Sequence, residues 1–270
     1  MVEESTLYIP GGAGRIAHAI GFIWAFIQMG VKFNFNQIVS VSTGALIPIW
    51  LERGKPLEEL LQFVTEIFSR ESEFTLTDGN LLFDTEAFVR SLDLEEMQSH
   101  VVVTCGATLQ SRILRLNPVS FLASMAIPGV TTHKAIRLNG QDFVDGSINA
   151  FPIDGLIRKF DPSEIYLVQN SPNLNLTMPL TREELYWGWR AAVKNPLKLF
   201  LSALNRQKGL QESIKLAQNH GIDLKIFSPE SQSVHSLENN STVLYRAADE
   251  AARNVFLQFG GSVLPFPKLP

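Results

Sequence analysis

The sequence predicts an α/β fold: a three-layer α/β/α arrangement around a mainly parallel sheet. Three observations carry this. Short apolar, β-branched runs alternate with longer runs of helical period, the pattern of strands joined by covering helices. The run Val101-Val102-Val103-Thr104-Cys105 is apolar almost throughout, as a strand buried on both faces is. The 270 residues are 45% apolar, enough for a sizeable core. No linker, repeat or low-complexity segment divides the chain, so residues 1–270 read as a single domain.

Each element follows in order. Leu7-Tyr8-Ile9 is a short strand that Pro10-Gly11-Gly12 ends. From Gly14 to Met29, Ile16, Ile20, Ile23 and Ile27 recur at helical spacing with Phe22 and Phe26 beside them. That helix is buried over most of its circumference, and Gly30 suits its C-cap. Gln37 to Val41 is a second strand and Thr43 to Leu51 a second helix. Pro56 to Arg70 is a third helix, with proline in its first turn, and Thr85 to Leu92 a fourth. His100–Ala107 and Arg112–Leu116 read as strands, and Pro118–Ala126 as a short helix stopped by Pro128-Gly129. Ala135 to Val144 forms a hairpin turning at Asn139-Gly140. Glu164–Gln169 and Asp223–Phe227 are further strands. Thr181 to Asn219 is helical with a restart at Asn195-Pro196, and Asn240 to Phe259 is a last helix that Gly260-Gly261 ends.

The formal net charge is -4, with an isoelectric point near 5.8, which argues against a nucleic-acid partner. One cysteine, Cys105, excludes an intrachain disulfide and reads as a buried structural thiol. The start, Met1-Val2-Glu3-Glu4-Ser5, lacks the basic flank of a signal peptide. The longest uncharged apolar stretch, between Arg15 and Lys32, has 16 residues and is short for a bilayer span. The expectation is a soluble cytoplasmic protein.

The chemistry centres on Ser42. It ends the run Ile38-Val39-Ser40-Val41 and is followed by Thr43-Gly44-Ala45. A strand-to-helix turn of small residues presents a serine hydroxyl at the sheet edge and aims the next helix's N–H groups at the same point. Upstream, Pro10-Gly11-Gly12-Ala13-Gly14-Arg15 lies between strand and helix, where bare backbone N–H groups can approach an anion. It completes neither a P-loop nor a full dinucleotide fingerprint. A serine also needs a base. None of His18, His100, His133, His220 and His235 sits in a context that singles it out. Asp145, at the end of Asp142-Phe143-Val144 and before Gly146-Ser147, could accept the proton directly.

These runs together resemble the patatin-like phospholipases. That family carries a G-G-G-x-R/K-G oxyanion loop, a G-x-S-x-G elbow and a D-G-G/A motif holding the aspartate of a Ser-Asp dyad. The segment Leu122-Ala123-Ser124-Met125-Ala126-Ile127-Pro128-Gly129 is similar to the family's A-S-x-A-x-P block, and Asn149 and Pro152 to its N-x-P continuation. The resemblance spans nearly the whole chain and implies a patatin-like fold. It makes Ser42 the nucleophile and Asp145 its base. Gly11, Gly12, Ala13 and Gly14 become the oxyanion loop, with Arg15 at its basic position. Ser40, Thr43 and Gly44 become the elbow. The implied reaction is hydrolysis of a phospholipid or lysophospholipid acyl ester through an acyl-enzyme, with no metal and no cofactor.

Four positions depart from the pattern: Ala13, Ile16, Ser40 and Ser147 stand where glycines are usual. They keep open a catalytically impaired lipid- or protein-binding scaffold. An acyltransferase on the same fold is a further alternative, as is an α/β-hydrolase using His220 or His235. Leu185-Tyr186-Trp187-Gly188-Trp189-Arg190, with Lys194, Lys198 and Leu199-Phe200-Leu201, joins aromatics to basic residues. Such a stretch suits a lipid interface, so residues 185–201 are expected to make peripheral membrane contact, within a helical cap over 181–219. Packing over the core or a dimer contact is the alternative.

Overall fold

A computed structural model describes residues 5–69, 74–77, 80–149, 152–170, 206–230, 234 and 238–267. The chain is α/β, with a mostly parallel mixed sheet. Strands β1 (Ser5–Ile9), β2 (Ile38–Val41) and β5 (His100–Cys105) run parallel with β9 (Glu164–Val168) and β10 (Asp223–Phe227), in the order β10-β9-β1-β2-β5. The remaining strands of this sheet are antiparallel: β6 (Ser111–Arg115), β7 (Ile136–Leu138) and β8 (Gln141–Asp145). The β7–β8 hairpin turns at Asn139 and Gly140 with φ of 48° and 78°, the two left-handed residues a type I′ turn demands.

Side chains alternate between two cores. Leu7, Ile9, Ile38, Val101, Tyr166 and Val168 face α1 (Ile16–Gln28), α2 (Leu46–Glu52), α3 (Leu57–Ser69) and α8 (Ser241–Gln258). Tyr8, Val39, Val41, Val102, Ile165 and Leu167 face α6 (Ile153–Phe160) and α7 (Arg206–Asn219). Helices therefore cover both faces of the sheet, which is why its central strands are apolar on both sides.

Helix α1 is buried almost all round, as its composition predicts. The small residues Ala247, Ala248, Ala251 and Ala252 of α8 close over its outer face. Asn240 caps α8 by accepting from the Thr242 and Val243 N–H groups, and Gly260 ends it with φ of 67°.

Several boundaries shift. Ala13–Arg15 forms a 3₁₀ turn before α1, and Ser42–Ala45 another before α2. Both tight turns fall where the two loops of the candidate site enter their helices. Strands β3 (Phe74–Thr77) and β4 (Asn80–Phe83) form a separate hairpin where no strand is expected, and α6 is likewise unanticipated. α6 buries Ile153 and Leu156, an i, i+3 pair that carries a helical signal in a short segment. Helices α4 (Thr85–Ser91) and α5 (Pro118–Ser124) match expectation closely. Among the described residues, no helix is long and apolar enough to cross a membrane. The predicted cap before residue 206 and the aromatic-basic run 185–201 lie outside the described residues.

Candidate active site

Strand β2 ends at Val41 and the chain turns abruptly at Ser42, whose φ is 50°. A left-handed serine is strained and persists only where its surroundings fix it. The elbow expected from the small residues around Ser42 is therefore present in the backbone. Its tightness explains the flanking composition. A side-chain carbon at Gly44 would lie 2.5 Å from the Pro10 carbonyl oxygen, so only glycine fits. One at Gly11 would lie 2.7 Å from Ser42 Cβ, so only a bare backbone can pass beside Ser42. Ser40 is buried within β2 and donates its hydroxyl to the His100 carbonyl at 3.1 Å. It is accommodated by the sheet rather than by the turn, which explains how a non-glycine residue stands there.

Asp145 reaches the same place from the opposite direction. β6 pairs with β5 from His100 to Thr104 and so occupies one edge of that strand. β2 pairs with His100–Val102 and β8 with Val103–Cys105, so both lie along the other edge. β2 and β8 run toward each other there. Val41 is partnered with Val102 and Asp145 with Val103, one residue apart, or about 3.3 Å along the strand direction. Ser42 thus leaves β2 at the point where Asp145 ends β8.

Asp145 is fully buried. Its N–H donates to the Ala126 carbonyl at 2.9 Å, and its Oδ1 accepts the Ser147 N–H at 2.7 Å. Position 147 contributes through its backbone, so serine serves there as well as glycine.

One short segment holds both groups. Ser124, the last residue of α5, accepts the Ser42 N–H at 2.8 Å and donates to the Val102 carbonyl at 2.7 Å. Two residues on, Ala126 accepts from Asp145. The block Ala123–Pro128, noted in the sequence for its resemblance alone, ties the elbow and the aspartate to β5.

The glycine-rich loop is narrower as an anion site than the sequence suggests. Gly14 and Arg15 belong to the 3₁₀ turn and are buried. The Ala13 N–H, at a residue with φ of 50°, donates to Thr43 Oγ1 at 2.9 Å and is thereby engaged. The Gly12 N–H meets no acceptor among the described residues, and neither do those of Gly11 and Gly14. The N–H of Thr43 opens the elbow's helical turn and has no acceptor within it. Arg15 packs its stem beside Gly12, 3.3 Å from where a side-chain carbon there would sit. Ile16, the departure from glycine at the end of the loop, is fully buried as the first residue of α1.

No described histidine is placed as a base for Ser42 by these elements. His18 is fully buried in α1, and burial, reinforced by the Arg15 charge, holds its imidazole down to about 4. His100 opens β5 at the far end from Ser42, against Phe160, and burial with Lys159 and Arg115 holds it down to about 4. His220 is exposed at the end of α7, where the chain enters β10 at the opposite end of the parallel strands from Ser42. His133 lies against Thr85 and Glu86, and His235 lies outside the described residues. Cys105 is buried, as expected. No cluster of metal-ligating side chains occurs among the described residues.

Two features escape the sequence reading. Asn170, just past β9, is buried and donates from Nδ2 to the Pro10 and Gly11 carbonyls at 3.0 and 3.1 Å. The second is a narrow apolar crevice with about 10 Å³ of interior space. It is lined by Ala13 and Thr43 of the site and by Ile16, Leu46, Val64, Ile67, Phe83 and Phe88. The sequence matches no family model and no curated protein.

Proposed function

We propose that this protein is a lipid acyl hydrolase of the patatin-like kind, acting on a phospholipid or lysophospholipid ester. The observation that carries the reading is the end-to-end meeting of β2 and β8 along β5. It brings a left-handed Ser42 and a buried Asp145 together.

In this reading Ser42 Oγ attacks the ester carbonyl while an Asp145 carboxylate oxygen takes its proton. The carbonyl oxygen gains charge and is stabilised by the Gly12 N–H, aided by the Thr43 N–H at the start of the elbow turn. The alcohol leaves with the proton from Asp145, and the acyl group stays on Ser42. Water then attacks the acyl carbonyl as Asp145 takes its proton, and the acid leaves as that proton returns from Asp145 to Ser42 Oγ. The crevice that Ala13 and Thr43 help to line is apolar, and an acyl chain entering it would have to part its walls. Acyl transfer to an acceptor other than water would use the same groups.

The test is covalent labelling with a fluorophosphonate probe and hydrolysis of p-nitrophenyl butanoate. Wild type labels and turns over, and Ser42→Ala abolishes both with an unchanged circular dichroism spectrum. A folded wild type that neither labels nor turns over overturns the proposal in favour of a binding scaffold.

A further inference from the structure

We infer that Asn170 is a positioning residue for the oxyanion site. This rests on the hydrolase reading and adds a residue to it. Asn170 is 6% exposed, and its amide nitrogen donates to two consecutive carbonyls, those of Pro10 and Gly11. A trans peptide is planar, with its C=O and N–H pointing in opposite directions. Holding the Gly11 carbonyl toward Asn170 therefore turns the Gly12 N–H away from it. Holding the Pro10 carbonyl fixes the preceding peptide as well, so two planes of the loop are locked at once. Gly12 lies against Asn170, with 3.7 Å between Asn170 Cβ and the place a Gly12 side-chain carbon would take.

The loop needs such a clamp. Gly12 has φ of 147° and Ala13 has φ of 50°, both in the positive range that side-chain-bearing residues rarely adopt. The donors of an oxyanion hole contribute to rate only when aimed beforehand at the developing charge. Thr43 fixes the far side of the loop through Ala13, and Asn170 fixes the near side through Pro10 and Gly11. The Gly12 N–H lies between the two anchors. An aspartate at 170 would set carboxylate oxygens against two carbonyl oxygens. An asparagine supplies the paired donors at the same size.

The experiment compares wild type with Asn170→Ala and Asn170→Ser. It measures kcat and KM for p-nitrophenyl butanoate, affinity for a trifluoromethyl ketone that forms a reversible tetrahedral adduct, and affinity for a non-hydrolysable ether lysophospholipid. Expected for Asn170→Ala is a fall in kcat of about 10- to 100-fold with KM changed less than about 2-fold. The trifluoromethyl ketone weakens in parallel, and the ether lipid binds as before. Asn170→Ser, which keeps one donor, recovers part of the loss and serves alone if the alanine variant does not fold. A lowered melting temperature with kcat unchanged, or equal loss of affinity for both ligands, overturns the positioning role. A wild type without labelling or turnover overturns the hydrolase reading itself, whereas an active wild type with fully active Asn170 variants overturns only this inference.

Discussion

Ser42 and Asp145 stand at the junction of two strands that run toward each other along one edge of β5, the partners of Val41 and Asp145 being the adjacent residues Val102 and Val103. In the proposed dyad, a carboxylate delivered this way would take the hydroxyl proton with no histidine between them. Asp145→Asn keeps the shape and the oxygen that accepts the Ser147 N–H, so the loop should hold. What it loses is proton affinity. The expected result is a fall in kcat of about 10³-fold. Ester hydrolysis and thermal melting measure it. More than about a tenth of wild-type turnover in a folded Asp145→Asn would remove the aspartate from the role of base.

Ser124 is the second prediction. Its hydroxyl bridges two buried backbone groups, the Ser42 N–H and the Val102 carbonyl. Alanine takes this partner from both, and a buried backbone group left unsatisfied costs about 1–3 kcal/mol. Ser124→Ala should therefore destabilise the fold by about 2–4 kcal/mol and slow labelling of Ser42 by loosening its backbone. Ser124→Thr keeps the hydroxyl and should restore the labelling rate. Urea unfolding with timed fluorophosphonate labelling separates the two effects. An alanine variant as stable and as reactive as wild type would show the bridge to be dispensable.

Much of this site is legible in the sequence because its parts are local. A strand that ends in a serine, a glycine-rich turn and an Asp-Gly at a strand end are each written in consecutive residues. What brings them together is not. Nothing in the run Gln141–Asp145 says that β8 lies on the same edge of β5 as β2; that depends on β6 having taken the other edge. Asn170 is hidden for the same reason, since its partners Pro10 and Gly11 are 160 and 159 residues away. Ala13 shows the converse. Its small side chain suits an oxyanion loop, but its N–H is already taken by Thr43, whose side chain reads only as a turn residue. The antiparallel edge of the sheet was half visible, as the Asn139-Gly140 hairpin, while α6 was obscured by its brevity.

The buried histidines give the third prediction. His18 and His100 are held neutral in the folded protein, down to about 4 from an ordinary 6.5. Between those values the unfolded chain binds protons that the folded chain refuses. Stability is therefore fully present above about pH 6.5 and is lost as pH falls toward about 4. For His18, the more deeply enclosed, the full shift corresponds to about 3 kcal/mol. Urea midpoints should decline from pH 7 to pH 5, and the decline should be shallower in His18→Gln. A midpoint that does not move over that interval would mean that these imidazoles are protonated at no cost in the fold.

The crevice gives the last prediction. It is lined by Ala13 and Thr43, the two residues joined by the loop-to-elbow hydrogen bond, and by residues of α1, α2, α3, β4 and α4. An acyl chain entering from Ser42 would leave water for Leu46, Val64, Ile67, Phe83 and Phe88, each buried methylene contributing about 0.8 kcal/mol. The narrowness of the space should then limit chain length. Ile67→Ala widens it, at a stability cost of about 2–4 kcal/mol for the removed side chain. The ratio of kcat/KM for octanoate over butanoate p-nitrophenyl esters should rise in this variant by about 10-fold, the worth of roughly two further buried methylenes. The rise must appear in the ratio, because a loosened fold lowers both rates together. An unchanged ratio in folded Ile67→Ala would place the acyl chain elsewhere, and the crevice would then be a packing gap between the elbow and the helices behind it.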